Sequence, residues 1–318
     1  TRHVHPRRQP IAMTRDCLAT PVPFSLGTAA PRTALPAEAC DCHVHVYDQR
    51  FPSAPGARLL PPDASAGDYR ALQQRLGTER TVLVTPSTYG ADNRCMLQGL
   101  AVLGEQARGV AVIDGSESVA QLQALHDAGV RGVRLNLSLG VTGSVDSILP
   151  LARRIAPWGW HLQLLMAPDV LASLGDVLRS VPVPLVFDHL GRIAPAQAGQ
   201  HPAHALLLQL LGEGRAWVKL SGGYIVSATH AVDDPALDAL ATSYLRAAPE
   251  RVLWGSDWPH ATASAGLHPL PDDALQIDTL ARWCDQAGAD ALRRVLVTNP
   301  AELYGFAPVS TSSTPVPV

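Results

Sequence analysis

Short apolar, β-branched runs alternate along the chain with longer stretches whose apolar positions recur every three or four residues. The first pattern suits strands buried on both faces, the second the apolar stripe of an amphipathic helix. The strand-like runs are Ala39–Val46, Thr81–Thr85, Val110–Ile113, Gly132–Leu137, His161–Met166, Leu185–Asp188, Ala216–Leu220 and Val252–Ser256, eight in all. Helix-like stretches between them include Asn93–Ala107, Ser118–Ala128, Asp169–Ser180, His204–Gly212, Pro235–Ala247 and Asp273–Ala287. In the first of these, Met96, Leu97, Leu100 and Leu103 form the stripe. Asp234-Pro235 is a cap followed by Pro at the first helical position, and Gly129 and Gly288 stand where helices should stop. Repeated strand–helix units argue for a parallel sheet with helices outside. The number of units favours closure into a (β/α)8 TIM barrel over an open doubly wound sheet, and no G-x-G-x-x-G follows the first strand.

The barrel is expected over residues 38–306. Residues 1–37, rich in Pro, Ala and Arg without periodicity, read as an extended arm. Such an arm packs on the surface, packs on a neighbouring subunit of a homo-oligomer, or is disordered. Residues 307–318, mostly Pro, Ser, Thr and Val, read as a flexible tail.

A chain of 318 residues leaves room for one barrel of about 250 residues plus such ends. Hydrophobic residues at 47% and charged residues at 17% supply a large core. A net charge of −3 gives no electrostatic case for nucleic acid or an anionic membrane, although arginines gathered in one place can still hold a small anion. No run approaches the ~18 uncharged apolar residues of a membrane span. The first residues lead into no apolar stretch of a secretory signal, and Met13 is a candidate start preceded by an extension. The cysteines, Cys17, Cys40, Cys42, Cys95 and Cys284, are odd in number and suggest no disulfide framework, which points to a reducing cytoplasm. Cys40 and Cys42 share one strand face and read as core or helix-facing thiols, with a C-x-C metal pair as the alternative.

Catalytic groups of such barrels sit at the C-terminal ends of the strands. The first strand ends Asp41-Cys42-His43-Val44-His45, and strict alternation puts Asp41, His43 and His45 on one face. His3 and His5 repeat the spacing among Arg and Pro, with no strand to orient them. The sixth strand runs into Asp188-His189-Leu190-Gly191-Arg192, and the eighth into Trp254-Gly255-Ser256-Asp257-Trp258-Pro259-His260. An Asp in so apolar a run is costly unless it is paired, hydrogen-bonded or metal-bound.

Together, H-x-H on strand one, His on strand six and Asp on strand eight resemble the amidohydrolase superfamily. More narrowly, the chain resembles the branch holding 2-pyrone-4,6-dicarboxylate lactonase, 4-sulfomuconolactone hydrolase and D-galactarolactone isomerase. That resemblance rests on Ala39–His45, Thr85–Gly90 with Asp92-Asn93-Arg94, Val130–Arg134, Asp188–Arg192 and Trp254–His260. Asn299-Pro300 through Leu303-Tyr304 looks like the family's closing helix. The first-strand and Thr85–Gly90 segments look most like the galactarolactone isomerase group.

The resemblance implies an enzyme of carbohydrate-acid catabolism that hydrolyses or isomerises a carboxylated lactone. Asp257 would be the general base, with His43, His45 and His189 polarising the carbonyl through at least one N–H. Arg94, Arg134 and Arg192 would grip carboxylates, and Ser87, Thr88 and Tyr89 ring or hydroxyl oxygens. Binuclear members of the superfamily carry a bridging lysine on strand four and a His on strand five. Here Arg134 stands on strand four, and strand five offers His161 at its beginning and Gln163. No cofactor is expected, while a single Zn²⁺ on His43, His45, His189 and Asp257 stays open. The resemblance also implies an arginine after strand seven for a pyrone carboxylate, but the chain reads Lys219-Leu220-Ser221-Gly222-Gly223-Tyr224. That departure moves weight toward a sugar-diacid lactone, with Lys219 or Tyr224 as substitutes. The competing readings are a zinc-dependent hydrolase or decarboxylase, a barrel that binds without turnover, and, last, an interaction-only protein.

Overall fold

The computed structural model describes residues 21–138 and 143–307. His3, His5, Met13 and Cys17 lie outside the described residues. Eight parallel strands pair in sequence order: β1 (Cys40–Val44), β2 (Arg80–Val84), β3 (Ala107–Ala111), β4 (Val130–Asn136), β5 (His161–Leu165), β6 (Leu185–Phe187), β7 (Ala216–Leu220) and β8 (Val252–Trp254). The ring closes where Asp257 N–H donates to His43 O (2.9 Å) and His45 N–H to Trp258 O (2.8 Å). This is the expected (β/α)8 architecture, with helices such as Ala66–Leu76, Pro202–Gly212 and Asp273–Asp285 outside.

β1 departs from strict alternation, which corrects the expectation that Asp41, His43 and His45 share a face. Asp41 pairs with Thr81 and Val44 with Leu83, so β1 spends three residue steps against two on β2. Such a bulge shifts the phase of the strand. Before it, Cys40 and Cys42 point into the barrel and Asp41 points out to the helix layer, where Tyr69 Oη donates to its Oδ2 (3.1 Å). After it, His43 and His45 point inward and Val44 outward. Both thiols are thus interior rather than helix-facing, packed with Val82, Val84, Val110, Val186, Trp217 and Leu253.

Tyr304, at the end of the last described helix (Asn299–Tyr304), and Phe306 just beyond it join that interior cluster and close the barrel at the N-terminal ends of its strands. Arg80 and Arg108 stack on Phe306 and donate to the carbonyls of Ala307, Tyr304 and Gly305. His161 lies in this closed end against Tyr304, far from the mouth, as its place at the start of β5 implied. Of the N-terminal arm, the described part packs on the barrel's own surface. Trp258 Nε1 donates to Pro23 O, Arg75 to Leu26, Gly27 and Ala29 carbonyls, and Arg32 pairs with Asp278.

Several boundaries move. β3 starts at Ala107, because the helix expected to reach Ala107 ends at Leu103. The stretch 169–180 is two short helices, Pro168–Ser173 and Gly175–Ser180, broken at Leu174.

Candidate active site

Above the apolar plug the barrel interior turns polar. Arg134 (β4), Gln163 (β5), Asp188 (after β6), Lys219 (β7) and His43 (β1) form a buried layer. Arg134 Nε and Gln163 Nε2 donate to Asp188 Oδ2 (3.0 and 3.1 Å), and Lys219 Nζ donates to Gln163 Oε1 (2.8 Å). Burial would raise the Asp188 carboxyl, but His43, Arg134 and Lys219 outweigh it and hold it well below the usual range. Burial in turn pushes His43 well below its ordinary value.

The next layer holds the groups expected to carry the chemistry. Asp257 Oδ1 lies 3.5 Å from His43 Nε2 and 3.8 Å from both His45 Nε2 and His189 Nε2. Tyr224 Oη donates to its Oδ2 at 2.6 Å. Burial opposes the charge on Asp257, yet the three imidazoles and the phenol bring its carboxyl below the ordinary value. His45 is lowered to about 4, first by burial and then by Arg134, so its ring is neutral at pH 7. Its Nδ1 donates to Val84 O (2.7 Å), which leaves Nε2 as a lone pair. His189 Nδ1 lies 3.0 Å from Ser221 Oγ.

The backbone here is strained. Asp257 has φ +67°, and His189, Leu190 and Arg192 have φ +49°, +54° and +59°. Left-handed non-glycine residues are costly, and they cluster where the surrounding structure imposes a functional geometry.

A cavity of about 270 Å³ opens above this layer. Its wall includes His45, His189, Asp257, Arg134, Arg192, Ser87 and Thr88. Two expected residues are elsewhere. Arg94 is exposed and paired with Asp92 (2.6 Å), because the helix it opens points it to solvent. Tyr89 is not on the cavity wall, since its hydroxyl is taken by the backbone of Asp48. Ser87 Oγ accepts from Asn136, and Thr88 Oγ1 donates to Leu59 O. Neither Lys219 nor Tyr224 offers a free carboxylate grip, since both are buried in the networks above. Tyr47, Arg58 and Asn136 on the wall were not expected. Asn136 ends β4, so the strand-end rule would have found it; Arg58 and Tyr47 come from a loop without periodicity.

Residues 40–306 match the family described as Amidohydrolase, and the chain belongs to it. It is 36% identical over 289 residues to a 2-pyrone-4,6-dicarboxylate hydrolase of Comamonas testosteroni, covering 86% of this chain and 92% of the relative. It is 31% identical to the D-galactarolactone isomerase of Agrobacterium fabrum, covering 90% and 98%. The ligand-free crystal structure of an Agrobacterium tumefaciens protein superposes with a TM-score of 0.80 at 29% identity, covering 90% and 99%.

Amidohydrolases often use metal, and three side chains here offer a donor set. His43 Nε2, His45 Nε2 and Asp257 Oδ1 are 3.2, 3.5 and 3.8 Å apart. A tetrahedral ion with bonds of 2.0–2.2 Å requires edges of roughly 3.3–3.6 Å, so the set fits one ion. Asp188 and Gln163 are already engaged by Arg134 and Lys219, and Arg134 cannot bridge, so the set does not fit a pair.

Proposed function

We propose that this enzyme acts on the carbonyl of a carboxylated lactone, with a sugar-diacid lactone of the D-galactarolactone kind as first candidate. The observation that carries the proposal is the convergence of three imidazole Nε2 atoms on Asp257 Oδ1, beneath a wall bearing Arg134 and Arg192.

Arg134 spends Nε on Asp188 and keeps its terminal nitrogens for a ligand. Arg192 is half-buried, and burial alone lowers it. Among the described residues no acid pairs with it; a partly desolvated cation is stabilised by an anion, and the guanidinium fork fits a carboxylate. With Nδ1 accepting from Ser221 Oγ–H, His189 presents Nε2–H to the lactone carbonyl oxygen. His45 cannot do so while neutral, because its Nδ1 carries the proton. Asp257 Oδ1 takes the proton of the nucleophile as its oxygen bonds to the carbonyl carbon. The tetrahedral adduct then expels the ring oxygen, which receives that proton from Asp257. With water as nucleophile the lactone opens; with a substrate hydroxyl the ring migrates. A zinc ion, if bound, would be held by His43, His45 and Asp257 and would supply Lewis-acid polarisation of the carbonyl.

A second reading, a pyrone-dicarboxylate-type lactone, is favoured by Arg58, a further guanidinium on the cavity wall that offers a grip for a second carboxylate. The test is NMR of D-galactaro-1,5-lactone and 2-pyrone-4,6-dicarboxylate with purified enzyme, each with and without chelator. The expected result is 1,4-lactone or open diacid from the first substrate, unaffected by chelator and abolished by Asp257→Asn. Turnover of the pyrone alone would select the second reading, and silence on both would reject the substrate class. Four described cysteines, Cys40, Cys42, Cys95 and Cys284, are buried and unpaired, which supports a cytoplasmic setting. No described helix is long and apolar enough to cross a membrane.

A further inference from the structure

Lys219 is wholly buried, yet it touches no substrate space: its ammonium lies behind His43. Nζ is 3.2 Å from His43 Nδ1, 2.8 Å from Gln163 Oε1 and 3.7 Å from Asp188 Oδ1. Gln163 cannot be turned over to relieve this, because its Nε2 donates to Asp188 Oδ2. His43 Nδ1 therefore faces an ammonium and a carboxylate oxygen, the latter also at 3.2 Å.

Two proton patterns are open to a neutral His43. In one, Lys219 donates to Nδ1, His43 Nε2–H donates to His45 Nε2 (3.2 Å), and His45 Nδ1–H donates to Val84 O (2.7 Å). Every donor then points the same way, from the ammonium to a backbone carbonyl. In the other, His43 Nδ1–H donates to Asp188 Oδ1. That pattern sets an N–H against the ammonium and brings two imidazole lone pairs together at 3.2 Å with nothing between them. The second pattern becomes tolerable only with a cation between the two Nε2 atoms.

We propose that Lys219 is a positioning residue that holds His43 in the Nε2–H form, making that nitrogen a donor within the site and weakening the site's hold on a divalent cation. Asp188 Oδ1 then keeps only its ion pair with Lys219, which is the cost of the arrangement. The number of protons is the same in both patterns; only the position differs. The assignment of His43 as part of the reaction rests on the proposed function, whereas the proton position can be read without any substrate.

The test uses the full-length enzyme labelled with ¹⁵N-histidine and long-range ¹H–¹⁵N correlation spectra. Wild type should show His43 protonated at Nε2 and His45 at Nδ1. A His43 protonated at Nδ1 in the wild type overturns the proposal, whatever the fate of any variant. Lys219→Met, checked for folding by circular dichroism, should lose that pattern. Its kcat on the accepted substrate should fall about 10–100-fold with KM within about threefold, and it should bind Zn²⁺ at least about tenfold more tightly than wild type by equilibrium dialysis. Unchanged His43 signals and unchanged zinc affinity in a folded Lys219→Met protein would also overturn it. If that variant does not fold, the wild-type spectrum decides alone. A lactone panel that stays silent while the spectra show the expected pattern would sink the proposed function and leave the role of Lys219 standing.

Discussion

Arg192 and His161 show how single side chains report on function and on stability. Replacing Arg192 with Met should raise KM at least about tenfold with a smaller effect on kcat, because the lost contact is made equally in ground and transition states. Millimolar carboxylate ligands should raise the Tm of the wild type and leave that of the variant unchanged, which a thermal-shift titration reads. His161 belongs to the other end. Among the described residues neither ring nitrogen has a hydrogen-bond partner, and burial pushes it down to about 3 from 6.5. Below pH 6.5 the unfolded chain binds a proton that the folded one refuses until about pH 3, so stability falls as pH drops through that window. The loss is about 2 kcal/mol at pH 5, and His161→Leu should abolish it, as urea unfolding at pH 7 and pH 5 would show. At this scale the sequence was informative where a side chain stands at a strand end. His43, His45, His189 and Asp257 all converge on one site. Arg94 was misplaced because nothing local distinguishes an arginine facing a cavity from one closing a turn on Asp92. Asp188 was passed over beside His189 although it anchors the polar layer, since its neighbours come from four other strands.

Among elements, β1 does the most to shape the site. Its extra residue was not legible, because the apolar–polar pattern of Cys40–Val44 fits regular alternation and the slip shows only against β2. The strand set was legible because β-branched runs recur between helical stretches, while the limits of β3 and the break at Leu174 depend on tertiary packing. Where β1 meets β8, Gly255 leaves room for His43: a Cβ there would lie 2.5 Å from His43 Cβ and 2.7 Å from its backbone nitrogen. Backbone cannot yield as a side-chain tip can, so Gly255→Ala should displace His43. We expect kcat/KM to fall about 100-fold or more and stability by about 1–3 kcal/mol, measured by steady-state kinetics and urea unfolding.

For the whole molecule, the barrel separates an apolar, plugged end from the end that holds the candidate site. Phe306 fills the closed end under Arg80 and Arg108, so Phe306→Ala should cost about 3–5 kcal/mol in chemical denaturation while KM stays within about twofold. The arm contributes to the same end-to-end economy by strapping the helices Ala66–Leu76 and Asp273–Asp285 together through Arg75 and Asp278. That strap was only partly readable, because irregular chain has no periodicity to betray what it covers. The plug has one more consequence. With Tyr304 and Phe306 stoppering one end, the cavity lies toward the other, and Arg58 and Arg192 line its wall. Ring opening by water creates a new carboxylate, so a hydrolysed product leaves past those guanidinium groups carrying one more negative charge than the substrate brought in. Ring migration adds none. Product inhibition that is strong in dilute buffer and relieved by added salt would therefore be the signature of hydrolysis, and its absence the signature of isomerisation.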